Sequence, residues 1–302
     1  MRGTKSSAAT ISVASNSLLI AAKLAAGAIT GSIAIVTEAA HSAIDLVASV
    51  IALVSVRKAD EPPDREHPYG HERFENLAAA IEGMLIIVGA GVIVFEATRR
   101  LVVGAAVEHL GVGIAVIGAS AAVNVFVGGF LARRGRELGS PALSGDAAHL
   151  RADALTSLGV LVGLALVQVT GNAVFDPIAA LLVAAAIVIA GLRILTGSSR
   201  ALVDEAPPAA ELDRIEAAIA AERARTPEIV GYHKLRARRS GVRTFVDLHL
   251  QFRSGTTLER AHDVAHGLRD AIAAELGDAD VLIHLEPEGS LRPSATGPLR
   301  SG

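Results

Sequence analysis

Long apolar segments recur through the first two thirds of this chain, and they constrain its fold more than any other feature. A helix needs about 20 mostly apolar residues to cross the hydrocarbon core of a bilayer. Six segments meet this length and are separated by turn-forming or charged residues, at about 9–29, 32–56, 74–103, 110–132, 142–169 and 175–196. Because backbone polar groups need partners inside lipid, the pattern predicts an all-α six-helix transmembrane bundle over residues 1–203.

The composition of these segments supports closely packed membrane helices. Of 302 residues, 51% are hydrophobic but only 3% are aromatic, and the chain has no cysteine. Small aliphatic residues let helix backbones approach each other closely. The lack of cysteine excludes disulfides and thiolate metal sites, so any metal must be held by nitrogen and oxygen atoms. Residues 1–10 are short and polar, and we expect no cleaved signal peptide.

Lysine and arginine residues are unevenly distributed over the connections between the predicted spans. Only Arg99 and Arg100 clearly fall on one side, and ten fall on the other: Arg2, Lys5, Arg57, Lys58, Arg65, Arg133, Arg134, Arg136, Arg193 and Arg200. Positively charged loops stay in the cytoplasm. We therefore expect a multi-pass protein of the cell (inner) membrane with both termini in the cytoplasm.

After residue 203 the composition becomes that of a water-exposed domain. Residues 204–208 have the character of a linker. Helical and alternating patterns then follow one another: a helix at about 209–225, strands at 232–237 and 242–252 joined by a turn at 238–241, a helix at about 257–275, and a strand at 280–285. The order αββαβ predicts a small two-layer α+β domain over 204–288. We expect disorder in the Ser-, Pro-, Gly- and Arg-rich residues 289–302.

Two of the predicted spans carry the same pair of ionisable residues. His41 precedes Asp45 by four positions, and His149 precedes Asp153 by the same interval. Residues four apart lie on one face of a helix. Two such faces turned toward each other would present two imidazoles and two carboxylates, a set suited to four-coordinate Zn²⁺. Pairing between helices is the structural alternative, but two identical pairs at membrane depth favour a metal site.

The charge balance of this set predicts an exchange of metal for protons. Two carboxylates neutralise a divalent cation, whereas an empty site in low dielectric cannot keep two bare carboxylates. Protons and metal compete for the same atoms. Six further charged residues lie inside the predicted spans, and for these we expect pairing between helices or contact with the interface: Lys23, Glu38, Glu82, Glu96, Asp146 and Arg151.

The chain resembles the cation diffusion facilitator family of metal/proton antiporters. The resemblance lies in residues 37–50, 64–78 and 145–160 together with the tail, and covers about 8–287. It implies a homodimer in a lipid bilayer with a ferredoxin-like cytoplasmic domain, no covalent reaction and no nucleic-acid partner, and it makes His41, Asp45, His149 and Asp153 the transport site. Many bacterial members have Asp at the position of His41, and the set found here resembles the zinc-selective members.

The resemblance also implies two further metal sites. Asp64, His67 and His71 match a site in the loop before the third span, where Pro68 and Gly70 allow a tight bend. We interpret this site as regulatory or as a relay toward the membrane. The second site lies in the tail, where metal is held between paired cytoplasmic domains and where Zn²⁺ is expected to be regulatory. The residues that match it, with Glu286 where the family commonly has Asp, are His233, His249, His262, His284 and Glu286.

Other functions remain open at this point. A membrane metalloenzyme would need a general base and an open metal position, and no His-Glu-x-x-His motif occurs. A metal sensor or scaffold anchored by the membrane helices is a second alternative. Export of Cd²⁺, Co²⁺ or Fe²⁺ is a third, because coordination geometry decides selectivity.

Overall fold

A computed structural model describes residues 2–30, 33–103 and 111–289 of the chain. Within these ranges, side chains are not described at positions 2–4, 30, 33–38, 40, 41, 111–114 and 164. The chain divides into two compact units, with the division between Leu202 and Val203. The segment expected to be disordered lies outside the described residues, apart from Gly289.

The first unit consists of long helices. Their bounds are α1 Arg2–Thr30, α2 Ile33–Ala59, α3 Arg73–Val103, α4 Gly111–Glu137, α5 Pro141–Thr170 and α6 Phe175–Leu202. By length and composition, five of the described helices can cross a membrane, namely α1, α3, α4, α5 and α6. The second predicted span falls on α2, whose first turns lie outside the described side chains, so its membrane crossing stays a prediction.

Several helices continue beyond the apolar segments that predicted them. The fourth span was expected to end near residue 132, but α4 runs to Glu137, and α6 runs to Leu202 rather than to about 196. In the last turn of α4, Arg133 donates to Glu137 at 2.8 Å. Helical hydrogen bonding does not need lipid, so these charged turns extend the helix past the apolar limit.

The start of α5 is fixed by a buried polar contact between helices. The Ser140 hydroxyl accepts from the backbone N–H of Leu143 at 3.3 Å, as an N-cap residue does. The same hydroxyl donates to Glu75 of α3. Lys5 of α1 pairs with Glu75 at 2.7 Å. Three helices therefore meet at the first turn of α5, which sets where His149 lies two turns later.

Helices α3 and α6 pack closely because glycine faces glycine across them. A Cβ atom on Gly83 would lie 2.9 Å from the backbone nitrogen of Leu195 and 3.1 Å from the carbonyl oxygen of Gly191. A Cβ on Gly191 would in turn lie 2.8 Å from the Ile87 side chain. Small residues at such crossings let helix backbones approach each other without a strong hydrophobic drive.

The second unit is a three-stranded sheet with two helices. Its elements are α7 Ala209–Arg225, β1 Ile229–Ser240, β2 Arg243–Phe252, α8 Leu258–Leu276 and β3 Ala279–Pro287. The order α-β-β-α-β agrees with the sequence prediction. β2 is the central strand, antiparallel to β1 and parallel to β3.

The turn between the first two strands is shorter than expected. Residues 238–240 were predicted to turn, but they continue β1, and Ser240 pairs with Arg243. Only Gly241 and Val242 form the connection, with Gly241 at a φ of 58°. Two-residue hairpin loops need positive φ, which glycine adopts at no steric cost. The arginines that suggested a polar loop are instead strand residues.

The two faces of the sheet have different environments. The buried core lies between the sheet and α7 and α8, and includes Val246, Leu248 and Leu250 of β2. Successive strand residues point to opposite faces. His249 therefore points away from the core. In β3, Ile283 and Leu285 pack against the core, so His284 and Glu286 also point away from it.

The close contact between α3 and α6 can be tested with Gly83→Leu. A leucine side chain cannot fit where even a Cβ meets backbone atoms at 2.9 Å, so we expect a loss of about 1–3 kcal/mol of stability, as for overpacked cores. Thermal unfolding in detergent measures the change. Gly89→Leu, on the same helix with nothing within 4 Å of its Cβ, is the matched control. Equal unfolding temperatures for the two variants would contradict this packing.

Candidate metal centres

Ionisable residues from two apolar helices meet in the interior of the first unit. Asp45 of α2 and His149 and Asp153 of α5 place their ligand atoms within 4.8 Å of one another, and they are called the helix cluster below. His149 Nε2 lies 3.3 Å from Asp45 Oδ1 and 3.8 Å from Asp153 Oδ2. Asp45 and His149 are buried, and Asp153 is partly buried. The arrangement brings three of the four expected transport-site residues together.

His41, the fourth expected member, has a side chain outside the described residues. Its backbone belongs to α2, one helical turn before Asp45. Its contribution to the helix cluster therefore stays a prediction.

Glu82 of α3 approaches the same histidine from a third helix. Its Oε2 atom lies 3.7 Å from His149 Nδ1, on the opposite side of the ring from the helix cluster. In the sequence, Glu82 was one of six charged residues expected to pair between helices or to contact the membrane interface. Its charge inside an apolar segment was the available signal, but no spacing rule links α3 to α5.

A buried polar network connects α1, α2 and α5 one turn before His149. Ser49 donates to Asp146 at 2.9 Å and receives a hydrogen bond from Asn16 at 2.7 Å. The Ser12 and Ser49 hydroxyls are 3.0 Å apart. Buried polar groups are stable only when paired, so the network holds the three helices in register.

The loop between α2 and α3 brings together Asp64, His67 and His71, the loop cluster. Asp64 Oδ1 lies 3.5 Å from His67 Nδ1, and Asp64 Oδ2 lies 3.3 Å from His71 Nε2. His71 is buried, His67 is partly buried and Asp64 is exposed. The imidazole rings are 4.5 Å apart between centroids, and Phe74 packs against both.

Backbone hydrogen bonds to Asp64 hold this loop in shape. Asp64 Oδ1 accepts from the amides of His67 at 2.6 Å and Glu66 at 2.9 Å. These bonds lower the pKa of the Asp64 carboxyl below its ordinary value, and the bond from the His67 amide has the largest effect. Gly70 allows the bend with a φ of 93°, and its amide donates to the His67 carbonyl. The bend that turns the side chains toward each other was expected from Pro68 and Gly70.

A third group lies on the outer face of the tail sheet, where strand register aligns three histidines. His249 of β2 is paired with His233 on one side and with His284 on the other. Glu286 bridges the first two, at 2.8 Å from His233 Nε2 and 2.6 Å from His249 Nδ1. His233, His249 and Glu286 form the sheet cluster, with ligand atoms within 4.8 Å of one another.

His284 is more loosely associated with the sheet cluster. Its Nε2 atom lies 3.8 Å from Glu286 Oε1, and 63% of its side chain is exposed. A register shift in β1 directly after His233, with Lys234 at a φ of 52°, sits beside the sheet cluster. Bulges of this kind re-aim neighbouring side chains.

His262 is not brought to the sheet cluster within one chain. It lies exposed on α8, where its ring is 4.1 Å from that of His266 between centroids. Because α8 packs on the core face of the sheet, the helix and the histidine row lie on opposite faces. The expected contribution of His262 to metal binding therefore stays a prediction.

All three clusters combine imidazole with carboxylate groups. Such nitrogen and oxygen sets suit Zn²⁺ and related divalent ions, whereas all-oxygen sets suit Mg²⁺, Ca²⁺ and Mn²⁺. The clusters differ most in burial, because the helix cluster is enclosed by apolar helices and the other two are open to solvent on one side. The three clusters therefore have similar ligand chemistry but differ in how far solvent can screen their charges.

Two substitutions of Asp64 separate its structural and metal-binding roles. In Asp64→Asn, the amide side chain keeps an acceptor for the two backbone amides but loses the negative charge. We expect the loop to keep its fold while its zinc affinity falls by about tenfold or more, which is about 1.4 kcal/mol. Asp64→Ala should lose both the folded shape of the loop and the zinc affinity. Hydrogen exchange at Glu66 and His67, with and without zinc, measures the two effects.

The lowered pKa of Asp64 also predicts a pH dependence. A group with a depressed pKa contributes stability above its unfolded-state pKa, and this contribution is lost as the pH falls through the folded-state value. Protection of the two amides should therefore be complete at neutral pH and disappear in acid, and Asp64→Asn should remove this dependence. Glu66→Gln is the control, and an unchanged acid response in Asp64→Asn would contradict the interpretation.

The sheet cluster predicts a ranking of its members in metal binding. Glu286 bonds to both His233 and His249, and the His249 ring lies between those of His233 and His284. His249→Ala and Glu286→Ala should therefore each reduce the zinc content of the purified full-length protein by about one ion per chain. His284→Ala should lose less, because its imidazole is looser and more exposed. Metal analysis by plasma mass spectrometry measures this, with exposed His266→Ala as the control. A loss in His284→Ala equal to that in His249→Ala would refute the ranking.

Comparison with known proteins places both units in one family. The model of the cation efflux transmembrane domain matches residues 9–203, and the model of the cation efflux protein cytoplasmic domain matches residues 207–288. An uncharacterized transporter of Synechocystis is 34% identical over 265 residues, covering 88% of this chain and 84% of that protein.

The chain is also similar to a cation-efflux pump and to a solved structure of a putative zinc transporter. The cation-efflux pump FieF of Cronobacter sakazakii is 31% identical over 270 residues, covering 89% of this chain and 88% of that protein. A solved structure of the putative zinc transporter CzrB in its zinc form is 34% identical, covers 30% of this chain and 98% of that chain, and has a TM-score of 0.27. With both domain models matched in order and five apolar helices long enough to cross a membrane, the chain is an integral membrane protein that belongs to the cation efflux, or cation diffusion facilitator, family of metal transporters.

Proposed function

We propose that this protein exports divalent metal, with Zn²⁺ as its main substrate, in exchange for protons. The observation that carries the proposal is the helix cluster, in which Asp45, His149 and Asp153 converge from two helices inside an apolar unit. Ionisable residues at membrane depth are expensive and mark substrate or proton pathways. The relatives named as transporters and cation-efflux pumps support the same class of function.

Charge balance explains why metal and protons would exchange. Two aspartates neutralise a divalent ion in the buried site, so the loaded state avoids a net charge in low dielectric. When the metal leaves, the carboxylates and the imidazole need protons to avoid the same cost. Binding of metal on one side of the membrane and of protons on the other then drives the cycle.

Zinc is favoured over other ions by the ligand types. A histidine between two aspartates offers one nitrogen and two oxygen donors, and His41 would complete a four-ligand set of the kind that Zn²⁺ adopts. Imidazole disfavours Mn²⁺ relative to zinc, whereas Cd²⁺, Co²⁺ and Fe²⁺ accept similar ligands. A panel of these ions in one flux assay separates them.

The membrane arrangement that we propose has six spans and two cytoplasmic termini. In this arrangement α2 would also cross the membrane, in addition to the five helices that meet the length and composition criteria. The excess of lysine and arginine on one side supports the orientation in the cell (inner) membrane. Alternating access by a homodimer would then expose the helix cluster to each side in turn.

The loop and sheet clusters would regulate this transport. Metal bound to the sheet cluster stabilises whichever conformation or dimer binds it more tightly, by mass action. The sheet cluster is only partly buried, so it would respond to the metal concentration of the solution around the tail. A high metal concentration would in this way favour the dimer that is competent for transport.

Replacement of the two buried aspartates tests the function. In proteoliposomes with an internal pH dye, the wild-type protein should move zinc inward and protons outward. Asp45→Asn and Asp153→Asn should reduce both fluxes to background, a loss of about a hundredfold or more, because a site with less negative charge cannot offset the desolvation of the ion. Exposed Asp213→Asn is the control.

The outcomes distinguish transport from the alternatives. Undiminished zinc flux in the double variant Asp45→Asn/Asp153→Asn would refute the proposal. Zinc binding without any flux or proton counterflow in the wild-type protein would favour a membrane-anchored metal sensor or scaffold.

A further inference from the structure

Glu82 is a carboxylic acid on α3 that is buried and has no hydrogen-bond partner among the described residues. Its exposed fraction is 0%, and neither of its oxygens makes a hydrogen bond to any described residue. Leaving a buried polar group unpaired costs about 1–3 kcal/mol, and more for a charged one. An acid retained at this cost inside apolar helices is typical of a functional site.

The carboxyl oxygens of Glu82 and the Nδ1 atom of His149, which lack hydrogen bonds among the described residues, face each other. His149 Nδ1 also lacks a hydrogen bond among the described residues, and it lies 3.7 Å from Glu82 Oε2. This separation exceeds a hydrogen bond by about half an ångström, so a small rotation of either side chain closes it. A hydrogen bond between these two groups would therefore give each of them a partner.

The two nitrogens of His149 point to different surroundings. Nε2 faces Asp45 at 3.3 Å and Asp153 at 3.8 Å, whereas Nδ1 faces Glu82. An imidazole that binds metal through Nε2 carries its proton on Nδ1, and the group that accepts this proton's hydrogen bond fixes the tautomer and the orientation of the ring. Glu82 occupies the position of that acceptor, and it is not one of the residues whose ligand atoms lie within 4.8 Å of one another.

Close helix packing keeps Glu82 at this position. A Cβ atom on Gly145, one turn before His149, would lie 3.2 Å from Glu82 Cβ and 3.1 Å from Ala79 Cα. On the other side, the neighbouring Gly83 contacts α6, where a Cβ would lie 2.9 Å from the Leu195 nitrogen. Since α3 is held between α5 and α6, the Glu82 side chain has little freedom to turn away.

We propose that Glu82 is a positioning residue for metal binding by His149. Its carboxyl oxygen accepts a hydrogen bond from His149 Nδ1–H and holds Nε2 toward Asp45 and Asp153. This inference rests on the proposed function of the helix cluster. It adds a third helix to the site, because α3 sets the ring orientation while α2 and α5 carry the ligands.

The test compares Glu82→Leu with Glu82→Gln. Leucine removes the acceptor, so the KM for zinc in proteoliposomes should rise about 10- to 100-fold while the maximal rate changes less than about threefold. Glutamine keeps a carbonyl oxygen that accepts from Nδ1–H and should recover most of the affinity. Ile86→Ala, one turn further along α3 and also buried, is the control for disturbed packing and should keep the wild-type KM.

Thermal unfolding separates positioning from a structural role. Glu82→Leu replaces an unpaired buried acid by an apolar side chain, so its unfolding temperature in detergent should equal or exceed that of the wild-type protein. A clear drop in unfolding temperature together with the rise in KM would indicate a structural role and overturn the inference. An unchanged KM in Glu82→Leu, or a KM in Glu82→Gln as high as in Glu82→Leu, would also overturn it.

A binding measurement keeps this inference separate from the proposed transport. In a full-length background with His71→Ala and His249→Ala, which weakens the loop and sheet clusters, zinc titration reports on the helix cluster. Glu82→Leu should raise the zinc Kd in this background about 10- to 100-fold. If the wild-type protein binds zinc but moves none, the proposed function fails, and the Kd alone decides the role of Glu82.

Discussion

The cost of placing charge among apolar helices governs this molecule. Asp45, His149 and Asp153 lie within 4.8 Å of one another in a unit whose buried apolar side chains are mostly alanine. Isolated carboxylates in such surroundings are unstable, so they need either a cation or protons. The same constraint explains the supporting contacts, because Asp146 is paired with Ser49 and Glu75 with Lys5 and Ser140. Packing around these groups therefore follows from the need to satisfy them.

The three clusters use similar side chains in three different kinds of scaffold. Two rigid helices carry the helix cluster, so its geometry depends on how α2 and α5 pack. A short loop carries the loop cluster, and backbone hydrogen bonds to Asp64 set its shape. Strand register carries the sheet cluster, because pairing of His249 with both neighbouring strands lines up the imidazoles. Burial then separates their roles, since only the helix cluster is enclosed among helices long enough to cross a membrane.

Local patterns predicted the elements well where one physical rule dominates. Apolar length indicated the five helices that are long and apolar enough to cross a membrane, and the order of helices and strands in the tail followed from periodicity. The errors occurred where a local signal competes with hydrogen bonding over a longer range. Residues 238–240 were expected to turn because two arginines and a serine are polar, but pairing with β2 extends the strand to Ser240. The ends of α4 and α6 lie beyond the apolar limit because helical hydrogen bonds continue into charged turns.

The sequence by itself determined that His149 and Asp153 share a helix face, since a spacing of four residues suffices for that, and that the loop can bend at Gly70. Only the tertiary structure decided that Asp45 meets them, that Glu286 bridges His233 and His249, and that His262 lies on the other side of the sheet. It also decided that Glu82 faces His149, a contact between residues 67 positions apart in the chain. Spacing rules act within one element, whereas contacts between elements depend on close packing, here on glycines that let α3 approach α5 and α6.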